Sequence, residues 1–209
     1  MNGQHTLITS HKGVDLHAAT ALKVMRDRLE GGERLLGLAR AEYVTFWEPA
    51  PADLAVDRLL ALGRYFNPNK HHYGHFWSAT GGKPWFTSIT RGESLPPAWP
   101  GEACDTDWGE PTADLYDRLL GGRAAPDTTA VDICTFSLGE SGPLLSGVLW
   151  RLFLRVAESE AAQLADQLAV TRRWRQGLLV NPHMQGWRVQ VRRRGTARTA
   201  RQAGSREES

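Results

Sequence analysis

The feature of this sequence that most constrains its fold is a junction that occurs twice, Asn67-Pro68 and Asn181-Pro182. An Asn before Pro is pushed out of helical geometry, so the chain turns from a helix into a following strand. When the two junctions are superimposed, their neighbours align without gaps, and both copies run strand, helix, glycine, apolar pair, Asn-Pro, strand. The pattern predicts a repeated small α/β module, although two unrelated turns of similar chemistry would also produce it. The residues expected to form the turn or an interface are Gly63, Asn67, Pro68, Gly177, Asn181 and Pro182.

Hydrophobic periodicity places regular elements around both junctions. Helices packed on one face of an antiparallel sheet follow from this order of elements, so the expected fold class is α+β. In the first half we expect strands at 5–10 and 73–77, an extended segment at 35–47 and helices at 18–29 and 52–62. In the second half we expect strands at 131–138, 148–157 and 187–191 and a helix at 158–174.

A long segment rich in Trp, Pro and Gly separates the two halves, and it contains one predicted short helix at 112–120. Loops of this length without regular structure are unusual inside a compact domain. The sequence therefore predicts four regions. They are a module at 1–78, the connection at 79–130, a second and degenerate module at 131–192, and a basic tail at 193–209 that is expected to be disordered because it lacks large apolar residues.

Charge and cysteine content argue against several functions. The formal net charge of +2 reflects mainly the arginine-rich tail, so a nucleic-acid partner is not expected. The two cysteines, Cys104 and Cys134, form no Cys-x-x-Cys motif and are too few for a disulfide scaffold. The first residues contain no apolar run, and no stretch is long enough to span a membrane. A cytoplasmic protein without a membrane partner is expected.

Two motifs carry a resemblance to a known family. The first half contains His11-Lys12-Gly13-Val14-Asp15 before its first helix and Tyr65-Phe66-Asn67-Pro68 before its last strand. The second half contains Gly177-Leu178-Leu179-Val180-Asn181-Pro182, followed by Trp187-Arg188-Val189-Gln190-Val191. These segments resemble PurS, the small accessory subunit of bacterial and archaeal phosphoribosylformylglycinamidine synthase. The resemblance covers roughly residues 5–77 and 131–192.

The resemblance implies two PurS-like, ferredoxin-like modules that form an internal pseudo-dimer, because fusing two protomers preserves their symmetric contact. It implies a non-catalytic accessory subunit of purine biosynthesis that bridges a glutaminase subunit and an ATP-dependent synthetase subunit and helps ammonia pass between them. Those two subunits are the expected partners, and a homo-oligomer is also possible. No cofactor and no catalytic residue are expected.

The segment with the densest chemistry is 70–75. On a strand, His71, Tyr73 and His75 share one face and His72 lies on the other. His71 and His75 could join a carboxylate to bind zinc or could contact an anion such as phosphate, but a polar turn that leads into a half-buried strand explains the segment equally. The alternative function is therefore a stand-alone ferredoxin-like protein or enzyme that binds a ligand or metal in this region; a self-assembling scaffold is a third. Cys134 lies in an apolar strand and is expected to be a buried packing residue.

Overall fold

The computed structural model describes residues 3–48, 60–61, 63, 65–79, 105–106, 112–137 and 144–192. The strands are β1 (Gly3–His11), β2 (Leu35–Glu48), β3 (His71–Ala79), β4 (Asp105–Thr106), β5 (Thr129–Ser137), β6 (Leu144–Leu154) and β7 (Gln185–Arg192). The helices are α1 (Leu16–Arg28), α2 (Thr112–Leu119) and α3 (Glu158–Ala169). The strands form one sheet in the order β4-β3-β1-β2-β6-β5-β7, in which every neighbouring pair is antiparallel. The expected α+β class is confirmed.

Helix α1 has clear local signals at both ends. The carboxylate of Asp15 accepts hydrogen bonds from the first backbone N–H groups of the helix, which have no partner within it. At the other end Leu29 is already extended, and Gly31 follows with φ of 81°, a left-handed conformation that glycine adopts without steric cost. These signals fix α1 between β1 and β2, so its apolar side lies against the sheet.

The sheet is covered on both faces. On the face here called the α1–α3 face, α1 and α3 bury Met25 and Leu168 against alternate residues of β5 and β6 such as Ile133 and Leu152. A smaller cluster of Leu7 and Val44 continues the same face over β1 and β2. On the face here called the α2 face, the helix α2 covers the intervening residues of the strands. That second core contains Ile8, Ala41, Tyr43, Phe76, Leu115, Tyr116, Leu119, Leu120, Cys134, Phe136 and Leu149.

The expectation that the helices share one face is wrong for α2. This helix was predicted close to its observed position, but it packs on the opposite face because Leu115 and Leu119 point into the sheet there. Gly74 in β3 makes the approach possible, since a Cβ atom at this position would lie 2.7 Å from a methyl group of Leu119. The connection between the halves therefore contributes a second hydrophobic layer.

Two predicted elements differ from the observed ones by three or more residues at an end. The helix predicted at 158–174 ends at Ala169, because Val170 leaves the helix to form a parallel bridge with Val180. The strand predicted at 148–157 lies at Leu144–Leu154, where pairing with β2 and β5 sets its limits. The predicted helix at 52–62 lies mostly outside the described residues, and the basic tail at 193–209 lies entirely outside them. In the part of the chain that the structure describes, no helix is both long and apolar enough to cross a membrane.

Candidate functional site

The two Asn-Pro turns have the same internal hydrogen bonds. In the first, the carbonyl oxygen of Asn67 accepts from the backbone N–H groups of Lys70 and His71 at 3.0 and 2.8 Å. The side-chain oxygen of Asn67 accepts from the N–H of Asn69 at 2.9 Å. The N–H of Asn67 donates to Nδ1 of His71 at 3.3 Å. The turn thus uses both backbone groups and the side chain of its asparagine.

The second turn repeats these bonds one by one. The carbonyl oxygen of Asn181 accepts from the N–H groups of Met184 and Gln185 at 3.1 and 2.9 Å. Its side-chain oxygen accepts from the N–H of His183 at 3.0 Å, and its own N–H donates to Oε1 of Gln185 at 2.9 Å. Gln185 therefore has the role that His71 has in the first turn, at the first residue of the strand that follows. The glycines before the turns, Gly63 and Gly177, both have positive φ angles, of 62° and 72°.

This geometry gives His71 a structural role in the first turn. Burial lowers the pKa of His71 from its usual value of 6.5, and the neighbouring His11 lowers it further, while Glu42 acts in the opposite direction. The unfolded chain therefore takes up a proton at this residue at a higher pH than the folded chain does. The contribution of His71 to stability consequently falls as the pH drops through about 6.5.

We expect the substitution His71→Gln to preserve the turn and to weaken the acid sensitivity, because Gln185 accepts the equivalent bond without titrating. Melting temperatures measured at about pH 7.5 and about pH 5.5 should differ less for this variant than for the unmodified chain. The control is His72→Gln, whose side chain is exposed on the other face of β3. An unchanged difference in melting temperature for His71→Gln would contradict this role.

The turn that precedes α1 lies against the first Asn-Pro turn. The ammonium group of Lys12 donates to the carbonyl oxygen of Pro68 at 2.7 Å. The backbone N–H of Lys12 donates to the carbonyl oxygen of Lys70 at 2.8 Å. The rings of His11 and His71 meet edge to face, with centroids 4.9 Å apart. The two motifs that carry the family resemblance in the first half thus form one corner of the molecule, although they are far apart in the sequence.

A chain of charged groups runs from this corner onto the sheet. One carboxylate oxygen of Asp15 caps α1 by accepting from His17 and Ala18 at 2.8 and 3.1 Å. The other accepts from Arg40 at 3.4 Å, and Arg40 also donates to Glu42 at 2.5 Å. Arg40 therefore holds the helix start and the carboxylate of Glu42 in one arrangement.

A cleft of about 320 Å³ opens on the α1–α3 face beside Glu42. A volume of this size lies at the lower end of the range for small-molecule sites. The carboxylate, hydroxyl and amide groups around it can hydrogen-bond a small polar ligand. The polar side chains that line it are Thr9, Glu42, Tyr65, Thr135, Ser146 and Gln185, and its apolar lining includes Leu7, Val44 and Val148.

Comparison with protein-family models, with curated proteins and with solved structures found no match to this chain. The functional interpretation therefore depends on the residues and their geometry.

The histidines of the segment 70–75 do not converge. His71 is half-buried at the Asn-Pro turn, His72 is exposed on the other face of β3, and His75 is buried within the sheet. Within the described residues, no group of three or more His, Cys, Asp and Glu side chains is arranged to hold a metal ion. None of residues 70–75 lines the cleft, but Tyr73 packs against Leu7 and Val44 of its lining, and the charge of Glu42 acts on His71.

A buried ion pair was not anticipated from the sequence. Arg151 of β6 donates two hydrogen bonds, at 2.6 and 2.8 Å, to the carboxylate of Asp132 on β5, and both side chains are almost fully buried on the α2 face. Arg151 also donates to Asp117 of α2 at 2.8 Å and to the carbonyl oxygen of Gly122 at 3.0 Å. The ring of Tyr116 lies 5.4 Å from its guanidinium group. This network attaches α2 to the sheet. The sequence signal for this pair was one charged residue in each of two largely apolar strands, Asp132 in β5 and Arg151 in β6.

Cys134 is buried on the α2 face, as expected from its apolar strand. Burial raises the pKa of its thiol to about 12, although the contact with the hydroxyl group of Tyr43 at 3.4 Å acts in the opposite direction. A thiol with such a pKa is almost entirely protonated near neutral pH, and the thiolate is the nucleophilic form. A catalytic role for Cys134 is therefore disfavoured.

In a Cys104→Ser variant, where Cys134 is the only thiol, we expect Ellman's reagent to label the native protein at least about 100-fold more slowly than the urea-unfolded protein. The absorbance of the released thiolate measures both rates. Rapid labelling of the native variant at neutral pH would show that Cys134 is accessible and ionised.

Proposed function

We propose that this chain is a non-catalytic accessory subunit resembling PurS, in which two fused ferredoxin-like modules form an internal pseudo-dimer and bridge a glutaminase and a synthetase subunit. The observation that carries the proposal is the identity of the two Asn-Pro turns, which agree in all four hydrogen bonds described above. This agreement supports a repeat, and the family resemblance implies that the repeated turn corresponds to the family's helix-to-strand junction.

The strand register supports the same proposal. Ile8 in β1 pairs with Tyr43 of β2 and Gly74 of β3. Cys134 in β5 pairs with Leu149 of β6 and Arg188 of β7. Ile8, Tyr43, Cys134 and Leu149 all lie on the α2 face, so β3-β1-β2 and β7-β5-β6 agree in strand order and in facing, as the proposed repeat requires.

The two units join where β2 pairs with β6. With the same correspondence, the two-fold axis of the proposed pseudo-dimer would pass between Glu42 and Val148, which are direct partners. A continuous sheet across a two-fold axis is the arrangement expected when a dimer with paired edge strands is fused into one chain.

The second unit has diverged most between β5 and β6. Only residues 138–143 connect these strands, too few for a counterpart of α1, which has 13 residues. The cleft beside Glu42 lies near the place that such a helix would take. In the correspondence between β6 and β2, Trp150 matches Val44. Trp150 lies beside α1, and Val44 lines the cleft, so the cleft lies where a second copy of α1 would pack.

Two measurements test the accessory function. Tagged protein recovered from native cells should carry a synthetase or a glutaminase subunit. In a reconstituted mixture, synthesis should require this chain when glutamine supplies the nitrogen and should proceed without it when ammonium is added directly. Recovery of neither subunit, together with equal rates from both nitrogen sources in the absence of the chain, would exclude the role.

A second candidate function follows from the cleft itself, because a protein that acts only through its outer surface does not need a cleft. In this alternative the chain is a stand-alone protein or enzyme that binds a small polar ligand beside Glu42. A metabolite screen by thermal shift tests it, with Glu42→Gln as the variant that should lose the response. Elemental analysis of the purified protein tests the metal-binding version.

A further inference from the structure

The helix α1 carries an apolar stripe on its exposed side. Leu16 and Val24 lie along this side of the helix, and Leu178 faces them from the loop that follows α3. All three are exposed large apolar side chains, and together with Trp150 they line a groove of about 490 Å³. This groove is separate from the cleft beside Glu42 and shares no lining residue with it.

A basic loop lies against the C-terminal end of α1, beyond the residues that line the groove. Arg175 donates to the carbonyl oxygen of Arg28 at 3.3 Å, and its own carbonyl oxygen accepts from the N–H of Glu30 at 3.2 Å. Arg175 has a φ angle of 63°, unusual for a residue other than glycine, so these bonds hold the loop in a defined conformation. Arg173 is 70% exposed and Trp174 is 89% exposed beside it.

The geometry points to this groove, here called the α1 groove, as the docking site for an amphipathic, acidic helix of a partner protein. The apolar side chains along α1 extend over about 12 Å from Leu16 to Val24, a length that two to three turns of a second helix can cover. Arg28, Arg173 and Arg175 lie beyond one end of the groove, where Glu30, 4.0 Å from Arg173, offsets only part of their positive charge. The remaining charge complements carboxylates on that helix. Trp174 provides an exposed aromatic side chain of the type that contributes most to binding.

The shape and charge of the α1 groove favour this occupant over two others. A second copy of the chain would bring the same arginines to the contact. A membrane surface is flat and would leave the floor at Ala21 and Trp150 unfilled. A helix places side chains into the floor while its acidic positions meet the arginines.

The inference deepens the proposed accessory function and rests on it for the identity of the partner. The experiment uses the full chain with two probes: the purified synthetase and glutaminase subunits, and a fluorescein-labelled amphipathic peptide with an acidic end. Leu178→Glu and Arg173→Glu alter the groove. Met184→Glu is the matched control, since Met184 is similarly exposed and does not line the groove.

We expect Leu178→Glu and Arg173→Glu each to weaken binding of a subunit and of the peptide by about tenfold or more, and Met184→Glu to leave both unchanged. Binding of a subunit that neither groove variant affects would overturn the inference while the accessory function stands. Peptide binding that depends on the groove, without binding of either subunit, would support the groove and remove the accessory function. Loss of a homodimer in Leu178→Glu, or binding to anionic phosphatidylglycerol vesicles in place of peptide, would overturn the inference in favour of those occupants.

Discussion

Replacing Asp132 by alanine is expected to lower the free energy of unfolding by about 3–5 kcal/mol, because it leaves the buried guanidinium group of Arg151 without its main partner. Burial alone would lower the pKa of Arg151, but the hydrogen bond and charge of Asp132, with Asp117, raise it overall, so Arg151 stays charged. Asp117 remains as a partner, but it accepts only one hydrogen bond from Arg151. Urea unfolding followed by circular dichroism measures the change.

Two further variants separate the charge from the packing. Asp114→Ala removes the same type of charge from α2, where it pairs with the exposed Arg123, and should cost less than about 1 kcal/mol. The double variant Asp132→Leu with Arg151→Met replaces both buried charges by apolar groups and should recover most of the loss. A single variant Asp132→Ala as stable as the unmodified chain would show that the network contributes nothing to α2 docking.

Replacing Gly177 by alanine is expected to cost about 3–5 kcal/mol, from left-handed strain together with steric overlap. Its φ angle is 72°, and a Cβ atom at this position would overlap the carbonyl group of Val170. The loop cannot easily move away, since the carbonyl oxygen of Ala169 accepts from the N–H groups of Leu178, Leu179 and Val180. Chemical denaturation, or the yield of soluble protein if the variant does not fold, measures the effect.

The repeat itself supplies the matched control. Gly63 precedes the first Asn-Pro turn with φ of 62°, but a Cβ atom there would meet no heavy atom of the described residues within 4 Å. Gly63→Ala should therefore cost only the strain, about 1–2 kcal/mol. Equal losses in the two variants would mean that packing around Gly177 plays no part.

Local signals in the sequence were sufficient for much of the fold. Each Asn-Pro turn is determined by residues within four positions of its asparagine, so it was predictable from a short segment. Helix α1 was also predictable, because Asp15 and Gly31 mark its limits. The end of α3 was not predictable in this way. Residues after Ala169 have helical composition, but the bridge from Val170 to Val180 takes the chain out of the helix.

The remaining features depend on contacts between distant segments. Asp132 and Arg151 are direct partners across β5 and β6, but this becomes apparent only when the register of the two strands is known. The face covered by α2 depends likewise on which residues of β3 point towards it. The cleft beside Glu42 is lined by residues from five strands, so no single segment predicts it.

The pairing of β2 with β6 has a consequence for how the chain reaches its native state. The partners at its centre, Glu42 and Val148, are about one hundred residues apart, so this ladder closes a large loop and is expected to form late. Until then each half presents an unpaired strand edge of matching register. The edge of one chain can equally complete the edge of another, and the product is a domain-swapped dimer with the same hydrogen bonds. Refolding at low protein concentration therefore favours the monomer. On polysomes, where nascent chains are close together, β2 of one chain can pair with β6 of another more often.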